Sequence, residues 1–67
     1  TMKKIVMYSF WTVKDAATVW FEDETSDDLT INQLAELIQI QPHAFELVME
    51  EPFGDDTLLT FKLSTES

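Results

Sequence analysis

The feature that most limits how this chain can fold is a near mirror between Phe10 and Phe21. Phe10-Trp11-Thr12-Val13 leads into Lys14-Asp15-Ala16-Ala17, and Thr18-Val19-Trp20-Phe21 returns through similar residue types in reverse order. Folded about its four central residues, the segment sets Trp11 opposite Trp20 and Phe10 opposite Phe21. Aromatic pairs across two strands contribute about 0.2–1 kcal/mol each, and β-branched residues suit the positions between them. The segment therefore reads as a β-hairpin from Ile5 to Asp23. Both faces of that hairpin are apolar, with Trp11, Val13 and Trp20 on one and Tyr8, Phe10, Val19 and Phe21 on the other. A helix is the competing reading, because Thr12 and Asp15 can cap one with Val13, Ala16, Ala17 and Trp20 on a single face. No Asn-Gly or Asp-Gly marks the turn that would decide between them.

Further along, Glu22-Asp23-Glu24-Thr25-Ser26-Asp27-Asp28 is too polar for a packed element. A strong helix start follows it. Thr30 and Gln33 fit a capping box, in which hydroxyl and amide satisfy each other's orphan backbone N–H groups, and Leu29 and Leu34 occupy the staple positions. Ile31, Leu34, Ala35, Leu37 and Ile38 form one apolar stripe, which Pro42 ends by disfavouring the α conformation at Gln41. The segment after Pro42 has two readings. Pro42 at a first helical position, with Ile40 and Phe45 as a staple, favours a second helix through Glu51. The rival is a strand with Phe45, Leu47 and Met49 on one face and Glu46, Val48 and Glu50 on the other. Pro52 to Asp56 reads as a loop, and Thr57 to Ser64 as a strand with Leu59, Phe61 and Leu63 opposed to Leu58, Thr60 and Lys62.

The expected fold is α+β: a small single domain over residues 1–67, with an N-terminal β-hairpin, one or two helices and a C-terminal strand completing an antiparallel or mixed sheet. Domains of this size bury only about 60% of the surface that the unfolded chain exposes. The chain contains no cysteine and a single histidine, His43, so disulfides and a zinc site of the usual four ligands are excluded. Hydrophobic residues at 45% supply enough apolar surface for a core. The start, Thr1 to Met7, lacks the continuous apolar run of a secretory signal, and no stretch reaches the roughly 20 residues of a membrane span, so a cytoplasmic location without membrane contact is expected.

Charge narrows the function classes. From Asp15 to Phe61 there are twelve Asp or Glu and no Lys or Arg, within a formal net charge of -9. Such a surface repels phosphate and attracts cationic groups. Read as two helices, residues 29–51 resemble the helix-turn-helix of MerR-type regulators and the related chaperone-modulator family, through Leu34-Ala35, Ile40, Pro42, Phe45 and Val48. The resemblance implies a transcription regulator. Its recognition helix, however, would carry Glu46, Glu50 and Glu51 where DNA readers place Lys and Arg, and the usual turn glycine is absent. The expectation is accordingly no direct nucleic-acid contact, with the protein-binding members of such families as the better parallel. Read with a strand after Pro42, the order of elements resembles a β-grasp, or ubiquitin-like, fold. The chain ends Leu63-Ser-Thr-Glu-Ser67 without the Gly-Gly of the carrier members, which leaves a binding role.

Asp23, Thr25 and Asp27 alternate like calcium ligands, but Asp28 and Leu34 stand where an EF-hand needs Gly and Glu. No metal or cofactor is expected. The carboxylate pairs all lie in polar sequence, where nothing pushes their pKa values apart for acid–base work, and His43 has no nucleophile to serve. The reading is a non-enzymatic protein-binding module that offers Glu22, Asp23, Glu24, Asp27, Asp28, Glu46, Glu50, Glu51, Asp55 and Asp56 to a basic protein surface, with Trp11 and Trp20 as apolar anchors. A phage-type inhibitor or DNA mimic is the sharper form of that reading. The surplus apolar face of the hairpin also suits a second copy of the chain.

Overall fold

The computed structural model describes residues 3–64. In chain order the elements are β1 (Ile5–Trp11), β2 (Ala17–Phe21), β3 (Ser26–Leu29), α1 (Ile31–Ile40), β4 (Phe45–Phe53) and β5 (Asp56–Leu63). The five strands form one sheet in the order β3-β2-β1-β5-β4, antiparallel at every pairing. A meander of three strands therefore builds one half of the sheet. Helix α1 carries the chain from the β3 edge to the β4 edge, and β5 returns to the centre beside β1. The fold is α+β, with the expected N-terminal hairpin and C-terminal strand.

The hairpin forms, but not in the register of the mirror. Tyr8 lies opposite Val19, Phe10 opposite Ala17 and Met7 opposite Trp20, so Trp11 and Trp20 do not face each other. A slip by an even number of residues preserves which side each side chain takes. The two faces consequently come out as the alternation implies. Tyr8, Phe10, Val19 and Phe21 join the core, while Trp11 and Trp20 share the opposite side of the sheet. Val13 leaves both faces for the β1–β2 loop, where it is exposed. That loop is held by a remote carboxylate: Asp56 accepts from the backbone N–H groups of Val13 and Lys14, at 2.9 and 3.2 Å, and from the Thr12 hydroxyl at 3.1 Å.

The core gathers on one side of the sheet under α1. Ile5 and Val19 are fully buried, joined by Tyr8, Ala17, Phe21 and Leu34, with Phe10, Leu29, Ile31, Leu37, Ile38, Phe45 and Phe61 packed around them. The capping box is present: Thr30 Oγ1 accepts from Gln33 N–H at 3.1 Å, and Gln33 Oε1 accepts from Thr30 N–H at 3.0 Å. Asp15 adds a third anchor by accepting from Ile31 N–H at 2.8 Å. It serves a helix start, though not the one at Thr12 that the sequence allows. Ala35 is exposed, so the buried stripe is narrower than its periodicity suggests. Past the helix, the Gln41 side chain bonds the backbone of β1's approach, donating to Lys3 O and accepting from Ile5 N–H.

Two readings of the sequence are overturned. Residues 45–53 are strand, not a second helix, so residues 29–51 contain no helix-turn-helix. Helix propensity gave way to hairpin pairing: β4 pairs with β5 from Phe45 opposite Leu63 to Phe53 opposite Asp56, and a helix there would leave that edge of β5 unpaired. The joining turn is tight, with Gly54 at φ 64 in the position that a type II′ turn reserves for glycine. The polar run before α1 also contributes an element, since Ser26–Leu29 is β3. An edge strand needs a partner on one side only, and exposed carboxylates are at home there. Bulges refine the alternation. One between Leu47 and Met49 puts Leu47 opposite Phe61 but Met49 opposite Thr60, sending these two side chains to opposite faces of the sheet.

Candidate functional site

Residues directly opposite on neighbouring strands share a face, so the register maps the side of the sheet away from the core. Trp20, Met7, Lys62 and Glu46 make one row across it. Asp28, Thr18, Ser9, Thr60 and Met49 make the next. Trp11, Leu58 and Glu51 make a third, beyond which Phe53 lies opposite Asp56. Among the described residues no element packs over this face. Small hydroxyl side chains occupy its centre, and Ser9 and Thr60 are 6% and 9% exposed between larger neighbours. Around them stands a broken ring of apolar groups: Met7, Trp11, Trp20 and Leu58 half-buried, and Met49 and Phe53 exposed.

Within that ring the two tryptophans have different surroundings. Trp11 meets the Phe53 ring at 5.4 Å, and the Lys14 ammonium sits 4.2 Å from its ring centroid. Trp20 lies about 14 Å away, roughly four residues along the strands and one strand across. Its indole stacks on no other ring among the described residues. A second apolar surface lies on the core side, where α1 contacts β2 and β3 and an aromatic strip continues beyond it. There Tyr8 stacks on Phe61 at 5.2 Å, Phe61 on Phe10 at 5.8 Å, and Phe45 meets Tyr8 edge-on at 4.9 Å. Burial pushes the Tyr8 hydroxyl pKa above its ordinary value.

The ten carboxylates expected to form a partner surface are spread around the perimeter. Asp27 and Asp28 sit on the β3 edge, and Glu46, Glu50 and Glu51 on the β4 edge. Four strand spacings, about 19 Å, separate those edges. Glu22, Asp23 and Glu24 lie in the β2–β3 turn, at the end of the sheet where Lys3 also stands, while Asp55 and Asp56 lie at the opposite end beside the β1–β2 loop. Asp28, Glu46, Glu51 and Asp56 border the open face; Asp27 and Glu50 belong to the core side by register.

Three of the ten are bonded within the fold: Asp28, which accepts from the Thr18 hydroxyl at 3.1 Å across β2 and β3, Asp23 and Asp56. Asp23 accepts from the Thr25 hydroxyl at 2.6 Å and from Thr25 N–H at 3.1 Å, and it faces Lys3 at 3.4 Å. The bonds from Thr25, then Lys3, hold its carboxyl below the ordinary carboxylate value. Asp56 loses some hydration, which acts to raise its pKa, yet the bonds from Val13, Lys14, Thr57 and Thr12 outweigh that and lower it. Lys3 with Asp23 is the single ion pair among the described residues, so the other carboxylates have no ammonium partner in contact there. Among the same residues there is no concave pocket, no cluster of groups set to hold a metal ion, and no helix long and apolar enough to cross a membrane.

Sequence reasoning missed Met7, Met49, Phe53 and the tether by Gln41. Met49 was hidden by the bulge, and Phe53 by the assumption of a loop from Pro52. For Gln41 no local signal exists, since its partners lie 36 and 38 positions away. Comparison of the chain with protein-family models, with curated proteins and with solved structures gave no match.

Proposed function

We propose that this protein is a non-enzymatic binding module that docks on a basic protein surface. The observation that carries the reading is the open sheet face, where Met7, Trp11, Trp20, Met49, Phe53 and Leu58 stand uncovered within a border formed by Asp28, Glu46, Glu51 and Asp56. Apolar groups left exposed inside a polar border mark protein-binding surfaces, even where, as here, they form a ring and not one continuous patch. The aromatic groups on that ring supply anchors that a partner can desolvate, of which tryptophan is among the most effective. The net charge of -9 speeds the approach of a cationic partner and acts over about 8 Å at physiological salt. Occupation of a nucleic-acid-binding protein in place of DNA is the most specific form of this reading.

Tryptophan fluorescence provides the test. The protein is titrated with Lys- and Arg-rich nucleic-acid-binding proteins and, separately, with duplex DNA, at low and moderate salt. The expected result is a fluorescence change with a basic protein, weakened by salt and by Asp27→Asn with Asp28→Asn. Trp20→Ala is expected to weaken binding by about 2 kcal/mol or more. Retention of DNA itself overturns the reading. Binding indifferent to salt and to the paired Asn changes removes its electrostatic part.

A further inference from the structure

The open face is not the only unfinished surface of the sheet. Strand β4 is an edge nine residues long with β5 on one side, and among the described residues nothing pairs with the other. The opposite edge, β3, is four residues long and carries Asp27 and Asp28 in its middle, which is how natural sheets discourage further pairing. The β4 edge carries Glu46, Glu50, Glu51, Pro52 and a bulge, which discourage pairing with a like-charged strand, yet it leaves an apolar stretch open between them. Leu47, Val48 and Met49 are 49%, 51% and 48% exposed.

Backbone geometry locates where pairing is available. Phe53 and Asp56 close a two-residue turn, and such a closing pair exchanges hydrogen bonds, with bonded and non-bonded pairs alternating beyond it. Glu51 therefore turns its backbone groups toward β5, while Glu50 and Pro52 turn theirs outward. Pro52 fits this placement, because proline lacks an N–H and belongs on the free side of an edge strand. The outward groups are the Glu50 N–H and C=O and the Pro52 C=O, beside a bulge at Leu47 to Met49 that bounds the run.

We infer that the β4 edge at Glu50 accepts an extended, lysine- or arginine-rich segment of a partner as a sixth strand. This rests on the proposed function and adds to it a second contact, made by backbone pairing. Charge selects the occupant. By register Glu46 and Glu51 stand on the open face of this strand and Glu50 on the core side, and only Glu46 has a lysine, Lys62, directly opposite, with no ammonium in salt-bridge contact among the described residues. An added strand with cations at alternate positions therefore meets Glu46 and Glu51 on one face or Glu50 on the other. A second copy of β4 would bring its own three glutamates to the same seam, where like charges face to face oppose pairing.

The probe is a short, end-blocked peptide alternating lysine and valine, followed by backbone-amide NMR and hydrogen exchange. The expected result is slowed exchange at the Glu50 N–H and shifts concentrated in residues 46–52. Methylating alternate peptide nitrogens of the probe should weaken binding at least about tenfold, as should Glu50→Pro, which removes the outward donor. Unchanged Leu34 and Val19 signals verify that the variant is folded. Equal binding by the methylated peptide overturns strand addition, and equal binding by a glutamate–valine peptide overturns the choice of a cationic partner. Shifts confined to the Trp11 and Trp20 indoles, with Glu50 unaffected, overturn this inference but leave the open-face reading standing. Concentration-dependent protection of Glu50 without any peptide assigns the edge to a second copy instead, and likewise overturns it.

Discussion

Asp55 and Asp56 are neighbours of one residue type with unlike duties. Asp55 is exposed in the β4–β5 turn, whereas Asp56 collects donors from Val13, Lys14, Thr12 and Thr57 and so fixes the shape of the β1–β2 loop. The sequence offers no way to tell them apart, because the donors to Asp56 include groups 42 to 44 positions distant. Asp56→Ala is expected to lower the thermal midpoint at pH 7 clearly more than Asp55→Ala. The folded-state pKa of Asp56 lies below the ordinary 3.8, so its stabilisation is complete above the unfolded value and disappears as pH falls through the folded one. The gap between the two variants should accordingly close on acidification below 3.8, as read by circular dichroism melts across pH. Equal midpoints at pH 7 would show that the loop does not depend on this carboxylate. Asp23 follows the same sign, through Thr25 and Lys3.

Helix α1 is too short to hold together unaided, since isolated helices below about 12–15 residues are marginal in water. Its ten residues are kept in place by packing, above all by Leu34 at 3% exposure, and by the cap at Thr30. Leu34→Ala should cost about 2–5 kcal/mol in urea unfolding and Thr30→Ala about 1 kcal/mol. The reverse order would mean that the cap, not the core contact, holds the helix. This element was legible because its signals are local: cap, staple, stripe and the Pro42 stop all lie within one stretch. For the hairpin, the faces were legible and the register was not, because alternation fixes sidedness while the Asp56 tether fixes the loop. For β4, neither was fully legible. Its conformation is set by β5, and its bulge changes the side on which Met49 emerges. Of the candidate site, the sidedness of Trp11 and Trp20 could be read, but the distribution of the acids to two distant edges follows only from the strand order.

At the scale of the molecule, a charge of -9 on 67 residues sets copies against each other as strongly as it draws in cations. Sedimentation velocity should find a monomer at pH 7 and low salt, with association appearing as added salt screens the carboxylates or as pH falls toward about 4 and protonates them. A stable dimer at pH 7 and low salt would mean that apolar contact between copies outweighs their repulsion. The strand order has a further consequence, for the way the protein is made. β1 and β5, the first and last strands described, lie side by side at the centre of the sheet. As the chain leaves the ribosome, β1 must keep one edge open until β5, with three strands and the helix between them, has been synthesised. The sheet closes by this long-range pairing of β1 with β5, a slow kind of step before which Phe10, Phe45 and Phe61 stay accessible to other chains. The same acidic rim that would greet a basic partner can keep nascent copies apart during that interval.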